Sequence, residues 1–263
     1  MLMDASMWVA KTGLTAQSTR MTVIANNLAN VNTVGFKKDR AMFEDLLYQQ
    51  IVQAGAQADV NSETPTGLML GTGTRVVSTE KVHRQGNVIS TENPLDIAIA
   101  GDGFFSVQQA DGTTAYTRDG SFKLSSDGTL VTASGEALLP SISIPEDAAS
   151  VTIGRDGTVT AQLSAGGGLV EVGQIQLSRF VNNAGLQPVG RNLYTETNAS
   201  GQAITNIPGD QGAGLLMQGS LEASNVNVVE EMVNMIETQR AYEINSKAIA
   251  AADGMLRFLN NNL

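Results

Sequence analysis

The chain has 263 residues, no cysteine and a formal net charge of −10 at pH 7. The missing cysteines exclude disulfides, thiol nucleophiles and zinc–thiolate sites, and the acidic balance argues against nucleic acid as a partner. The sequence has no apolar run of about 18 residues, so no membrane span is predicted. Its first residues also lack the basic cluster that opens a cleaved signal peptide.

The first predicted element is a long amphipathic helix over about residues 4–31. Leu14, Met21 and Leu28 follow one another at intervals of seven residues, and Ile24 shares their face. A seven-residue apolar repeat places one stripe along a helix, and such a stripe requires a partner helix.

Several asparagines stand at the predicted end of this helix. Asparagine is a weak helix former and accepts the left-handed backbone angles of a helix stop. Side-chain amides within one turn can also form hydrogen bonds across a packed interface between subunits. Both interpretations stay open for the cluster Asn26, Asn27, Asn30 and Asn32.

A connecting region is predicted over residues 33–74. Its first part, residues 39–53, places apolar residues on one helical face, at Phe43, Leu46, Leu47 and Ile51, which predicts a short second helix. From residue 54 to 75 the composition changes to Ala, Gln, Asn, Thr, Gly and Pro, so an extended or loop segment is expected there.

A central all-β domain is predicted over residues 75–204, because helical spacing gives way to short β-like runs. These runs lie at residues 76–77, 88–89, 97–99, 104–107, 130–131, 151–153 and 174–177. Five Asp-Gly pairs stand between them, at residues 102–103, 111–112, 119–120, 127–128 and 156–157. Asp-Gly supplies the positive φ that tight hairpin turns require, so the domain should be a meander.

After a second connecting region, residues 205–223, a C-terminal helix is predicted over residues 224–263. Ser224 or Asn225 is the expected N-cap. An apolar ladder with heptad spacing runs along this helix through Val228, Met235, Tyr242, Ile249 and Leu256.

The two ends of the chain carry opposite charge. Residues 1–40 hold five basic and two acidic side chains, whereas residues 222–263 hold three basic and six acidic ones. Opposite charge favours pairing the two helices with each other. The predicted fold is therefore α+β: terminal helices, residues 1–32 and 224–263, form a coiled-coil layer, and an extended segment links them to the central all-β domain.

No catalytic constellation is found in the sequence. The Asp-Gly pairs lack the spacing of a calcium loop, and the glycine clusters do not open a helix after a strand as phosphate loops do. His83 is the only histidine. We therefore predict a protein that is not an enzyme and has no catalytic residues, no cofactor and no metal site.

Both ends of the chain resemble the signatures of the bacterial flagellar rod and hook protein family. The N-terminal match covers residues 25–37 and includes Gly35-Phe36-Lys37, and the C-terminal match covers residues 219–242. Central stretches at residues 44–49, 116–122, 152–157 and 192–197 look like those of the distal rod members. The resemblance extends over essentially the whole chain.

The resemblance implies a structural subunit of a rigid helical tube that crosses the periplasm and transmits motor torque to the hook. It implies export by the flagellar type III apparatus without a cleaved signal. The partners it implies are further copies of the chain, proximal rod proteins, the hook protein, the P- and L-ring bushing proteins and the export apparatus.

Two sets of residues follow from this interpretation. The predicted assembly interface consists of Leu14, Met21, Ile24, Leu28, Asn26, Asn27, Asn30, Val228, Met235, Tyr242, Ile249 and Leu256. The segment from Gln49 to Gly71 resembles the stretch that separates distal rod proteins from hook proteins. We expect it to stiffen the tube, through residues Gln49, Gln50, Ala56, Pro65 and Gly67.

Two alternatives remain at this point. One is a secreted β-domain adhesin or glycosidase that trimerises through coiled-coil ends, although a glycosidase needs two convergent carboxylates in a cleft and none is located. The other is a hook or proximal rod paralogue, since these proteins share the terminal motifs.

Overall fold

The computed structural model describes residues 2–53, 57–59, 62–63, 66–163 and 168–261. The chain divides into two compact units. The first consists of Met1–Leu28, Asp39–Glu80 and Asn227–Leu263, and the second of Ala29–Lys38 and Lys81–Val226. Residues 205–223, assigned to a connecting region from the sequence, therefore lie in the second unit.

Two long helices belong to the first unit. Helix α1 spans Leu2–Ala29 and helix α2 spans Val228–Asn261. Both were predicted from heptad spacing, and α1 ends next to the asparagine cluster as expected. Neither helix contains a stretch apolar enough to cross a membrane. Two terminal helices with a β-rich middle confirm the α+β fold class.

The cap of α2 differs from the prediction. The side-chain oxygen of Asn227 accepts hydrogen bonds from the backbone N–H groups of Val229 and Glu230, at 3.0 and 3.3 Å. Asn225 instead uses its side chain within the second unit, where its oxygen accepts from the Lys38 N–H at 2.8 Å. Asn227 is the cap because it directly precedes the helix. Its side-chain oxygen therefore reaches the free N–H groups two and three residues further along the chain.

A long β-ribbon replaces the predicted short helix over residues 39–53. Its strands pair as nested hairpins, β1 with β6, β2 with β5 and β3 with β4. Their bounds are β1 Asp39–Asp45, β2 Tyr48–Val52, β3 Gln57–Asp59, β4 Ser62–Glu63, β5 Leu68–Gly71 and β6 Thr74–Lys81. The helix prediction is wrong because the apolar pattern of residues 39–53 fits the periodicity of a strand as well as that of a helix. Long-range pairing with residues 68–81 decides for strands.

The second unit is built from short strands in several sheets. Its main sheet has nine strands, in the order β11-β12-β13-β9-β10-β19-β18, with β17 pairing both β9 and β20. Their bounds are β9 Phe104–Gln108, β10 Thr114–Thr117, β11 Lys123–Leu124, β12 Leu130–Val131, β13 Ala137–Leu139, β17 Leu177–Arg179, β18 Gln187–Gly190, β19 Leu193–Thr195 and β20 Ile204–Asn206.

Three smaller sheets complete this unit. Strands β14 (Ala148–Ile153), β15 (Thr158–Leu163) and β16 (Leu169–Gln174) form an antiparallel sheet. Strand β8 (Ile97–Ala100) pairs with β21 (Leu215–Gln218), and β7 (Val88–Ser90) pairs with β22 (Ser220–Glu222). The predicted run at residues 174–177 is interrupted at Ile175, whose N–H donates to the Gly157 carbonyl at 2.8 Å.

The Asp-Gly pairs act mainly as turns. Three of them connect hairpins β9–β10, β11–β12 and β14–β15, and their glycines Gly112, Gly128 and Gly157 have φ of 84°, 75° and 85°. Gly120 has another role, because a Cβ there would lie 1.7 Å from the Ile97 carbonyl oxygen. That pair therefore permits two backbone segments to approach closely.

Strand β9 lies at the centre of the hydrophobic core. Phe105 and Val107 belong to a large apolar cluster, whereas Phe104 belongs to an aromatic cluster with Tyr116 and Tyr194. Successive side chains of a strand point to opposite faces, so β9 is buried on both sides. This explains why its sequence is a continuous apolar run.

Candidate functional site

Small and polar residues make contacts on the face that joins α1 to α2, the side of α1 that also carries the buried Ile24. A Cβ on Gly13 would lie 3.2 Å from the Asn245 side-chain nitrogen, and the Arg20 guanidinium donates to the Asn234 side-chain oxygen at 3.5 Å. Small and polar residues at these positions bring the two helices together without a continuous apolar seam.

The predicted apolar ladders lie on the flanks of this face. Of the interface residues predicted in α1, Ile24 is buried, whereas Leu14, Met21 and Leu28 are half-buried. In α2, Met235 and Ile249 are half-buried, and Val228 and Tyr242 are exposed. The side chain of Leu256 lies outside the described residues. Contact of these residues with another copy remains a prediction.

A second apolar stripe on α2 was not singled out from the sequence. It consists of Val229, Val233, Ile236 and Ile244, whose side chains are 70%, 50%, 50% and 66% exposed. With 3.6 residues per turn these positions share one side of the helix with Arg240, which lies between Ile236 and Ile244. This side is opposite the one that carries Asn245. A helix that is apolar on two sides is suited to a structure with more than one layer of helices.

The predicted asparagine cluster separates into different roles. Asn27 is 1% exposed, and its side chain accepts from the Asp39 N–H at 2.8 Å and donates to the Asp39 carbonyl at 2.9 Å. It also donates to the Glu231 carboxylate at 3.3 Å. Asn30 is bonded to Thr33 just past the helix end, and Asn26 is exposed. Asn27 thus fastens both β1 and α2 to α1.

The residues predicted to stiffen the tube lie on or near the ribbon. Gln49 and Gln50 are exposed residues of β2, and Gly67 directly precedes β5. Ala56 and Pro65 lie outside the described residues. The stiffening role of this segment remains a prediction.

A buried ionic cluster in the second unit was missed by the sequence analysis. Lys37, Arg118 and Glu222 are 1%, 4% and 1% exposed. The Lys37 ammonium lies 2.5 Å from one carboxylate oxygen of Glu222, and the Arg118 guanidinium lies 3.2 Å from the other. Gly86 donates its N–H to the same carboxylate at 2.8 Å.

The cluster balances desolvation against ion pairing. Burial lowers the pKa of Lys37, and the nearby Glu222 carboxylate opposes this effect. The pKa of Arg118 is lowered in the same way, again with Glu222 in opposition. The three side chains are closed to any substrate, so their chemistry is structural. Among the described residues no group of three metal-ligating side chains could hold an ion.

His83 lies beside this cluster. Its ring makes edge contacts with Phe104 and Tyr194, each with centroids 5.5 Å apart. Burial, followed by the positive charges of Lys37 and Arg118, lowers the pKa of His83 from 6.5 to about 3. The imidazole is therefore neutral in the folded protein at neutral pH.

Comparison with known proteins assigns the chain to a family. Family models described as "Flagella basal body rod protein", "Flagellar hook protein FlgE/F/G D1 domain" and "Flagellar basal body rod FlgEFG protein C-terminal" match residues 7–37, 98–161 and 217–262. A flagellar basal-body rod protein FlgG from Buchnera aphidicola subsp. Schizaphis graminum is 54% identical over 258 residues, which is 98% of this chain and 99% of that protein. The chain belongs to the FlgG family of flagellar rod proteins.

Relatives from distant bacteria agree with this assignment. FlgG of Borreliella burgdorferi is 50% identical over 98% of both chains. FlgG of Bacillus subtilis is 41% identical over 97% of this chain and 98% of that protein. The prediction of a structural subunit of the flagellar distal rod is confirmed, and the adhesin, glycosidase, hook and proximal rod alternatives are not supported.

The family signatures explain where the ionic cluster comes from. Lys37 ends the N-terminal signature, Arg118 lies in one of the central stretches, and Glu222 lies in the C-terminal signature. Lys37 and Arg118 have charged neighbours in the sequence, Lys38 and Asp119, so no local pattern marks these two side chains for burial.

Proposed function

We propose that the chain polymerises through the exposed faces of α1 and α2 into a straight, rigid helical tube. In this tube α1 and α2 form a coiled-coil layer. The observation that carries the proposal is the apolar stripe Val229, Val233, Ile236 and Ile244, on the side of α2 opposite α1.

Association of copies would remove this stripe from water. Burying the exposed half of an aliphatic side chain stabilises a contact by about 1 kcal/mol, so four such residues supply a substantial driving force. The predicted ladders, on the flanks of the α1–α2 contact, would add to it. A stripe of this kind is typical of helices that pack on both sides.

The tube would transmit torque across the periplasm to the hook. Its other partners would be proximal rod proteins, the hook protein, the P- and L-ring bushing proteins and the export apparatus. Export would proceed through the flagellar type III apparatus without cleavage of a signal. The relatives from Buchnera aphidicola and Borreliella burgdorferi are named as rod proteins, which supports a structural role and not an enzymatic one.

Electron microscopy of concentrated protein tests the proposal. We expect the natural chain to form tubes and Ile236→Asp to form none, because a buried carboxylate without a partner opposes association. The matched control is Val181→Asp, since Val181 is 86% exposed and lies in the second unit. Discrete oligomers from the natural chain, or normal tubes from Ile236→Asp, would contradict it.

A further inference from the structure

A large groove opens in the first unit, beside the N-terminal half of α1. It has a volume of about 1160 Å³. Its apolar walls come from Trp8 and Val9 of α1 and from Ile51 and Leu70 of the ribbon, and Asn245 of α2 closes one side. Trp8, Ile51 and Val9 are 54%, 52% and 37% exposed, so a considerable apolar surface faces water here.

Small residues build this groove into the fold. Gly73 lies so close to α1 that a Cβ on it would stand 3.2 Å from the Thr12 Cβ, and the Thr74 N–H donates to the Thr12 hydroxyl at 3.3 Å. These contacts hold the ribbon on one side of α1 while Gly13 admits α2 on the other. The groove is therefore a feature of the unit whenever α1 and α2 are folded.

From this geometry we infer that the groove receives the outer stripe of α2, Val229, Val233, Ile236 and Ile244, from a second copy of the chain. The inference rests on the proposed function and names the two surfaces that meet. A groove on one copy and a ridge on another form a heterologous contact, which generates open helical filaments when its rotation does not close a ring.

The position of α2 excludes the chain's own stripe as the occupant. Asn245 lines the groove, whereas Val233 and Ile236 lie on the opposite side of the same helix. A rigid helix cannot present both sides to one groove. The stripe that fills the groove must therefore belong to another copy.

Charge also favours this occupant. Lys11 lies beside the groove, 5.5 Å from the centre of the Trp8 ring. Residues 229–244 of α2 contain four glutamates and one arginine. A lysine at the groove rim facing an acidic helix steers association and disfavours pairing of like surfaces.

Disulfide cross-linking tests the contact directly, because the natural chain has no cysteine. We expect the double variant Val9→Cys, Val233→Cys, oxidised under conditions that yield tubes, to give a ladder of trimers and larger species on a denaturing gel. Either single variant should stop at dimers. The control pair Val9→Cys, Val181→Cys should also give no ladder.

The single tryptophan supplies a second readout in the unmodified chain. On polymerisation we expect the Trp8 emission to shift to the blue and its quenching by acrylamide to fall several-fold. Tubes without a ladder, in which Trp8 stays open to acrylamide, would overturn the inference and leave the proposed function intact. Absence of tubes from the natural chain would overturn both.

Discussion

At the scale of single residues, the Lys37–Glu222–Arg118 cluster ties three distant segments of the chain together. One carboxylate holds two cations and the Gly86 N–H in the interior of the second unit. A buried ion pair contributes little beyond an apolar equivalent, but removal of one partner leaves an uncompensated charge. The cluster therefore specifies which segments meet and makes every wrong arrangement costly.

Glu222→Gln should destabilise the second unit by about 3–5 kcal/mol, because it removes the carboxylate that pairs with two buried cations and leaves the charge of Asp102 to oppose theirs. The measurement is urea unfolding of dilute protein. Glu80→Gln is the control, since Glu80 and its partner Arg40 are 37% and 60% exposed and such a pair contributes at most about 1 kcal/mol. Equal effects of the two substitutions would show that the cluster is not a structural centre.

His83 should make stability depend on pH. Its pKa falls from 6.5 in the unfolded chain to about 3 in the folded protein, so below pH 6.5 the unfolded state binds a proton that the folded state does not. Stability is therefore lost as pH falls from 6.5 towards 3, at about 1.4 kcal/mol per pH unit. Between pH 7 and 5 the loss from this group is about 2 kcal/mol.

The variant His83→Phe isolates this effect, since it keeps an aromatic ring against Phe104 and Tyr194. We expect its unfolding free energy to change less than that of the natural chain between pH 7 and 5. Urea titrations at several pH values provide the comparison. Parallel pH profiles for the two proteins would mean that His83 does not carry the dependence.

At the scale of elements, the ribbon of residues 39–81 needs a neighbour. A two-stranded hairpin is marginally stable by itself, and Leu47, Tyr48 and Met69 of this ribbon are 90%, 58% and 55% exposed. An apolar ribbon wedged between copies would resist the sliding of subunits that bending a tube requires, because close-packed contacts tolerate little compression.

Deletion of residues 50–68 should still allow tubes to form, although it removes Ile51 from the groove. We expect these tubes to be curved or flexible. The deletion removes the outer part of the ribbon while the pairing of β1 with β6 and of Tyr48 with Gly71 remains possible. Curvature in electron micrographs, compared with the natural chain and with Val181→Asp, is the measurement. Straight tubes would refute stiffening, and loss of all tubes would show that the ribbon serves assembly itself.

At the scale of the whole molecule, stability should be concentrated in the second unit of a dilute monomer. Its core includes Phe105, Val107 and Ile175, each fully buried, whereas the α1–α2 contact depends on small and polar residues such as Gly13 and Asn245. A helix without apolar partners is marginal in water. The two ends should therefore open locally far more often than the β core.

Amide exchange measures this difference. In dilute protein we expect fast exchange over residues 10–30 and 230–258 and strong protection in β9 and β10. On polymerisation the two helices should become protected because their exposed stripes are covered. Strong protection of both helices in the monomer would contradict the expectation.

The sequence by itself determined the features that depend on local periodicity. Heptad spacing determined both end helices, Asp-Gly pairs determined three hairpin turns, and an apolar run determined the doubly buried β9. The family signatures determined the function. Each of these depends on residues close together in the chain, so the pattern is readable without the fold.

Tertiary structure decided the features that depend on residues far apart. Residues 39–53 became strands because residues 68–81 supplied partners, Asn225 lost the cap of α2 because Lys38 engaged its side chain, and Glu222 was buried because two cations from distant motifs reached it. The contacts between α1 and α2 use Gly13 with Asn245 and Arg20 with Asn234 instead of the apolar ladders. Long-range pairing and close packing are properties of the folded chain, and no local pattern encodes them.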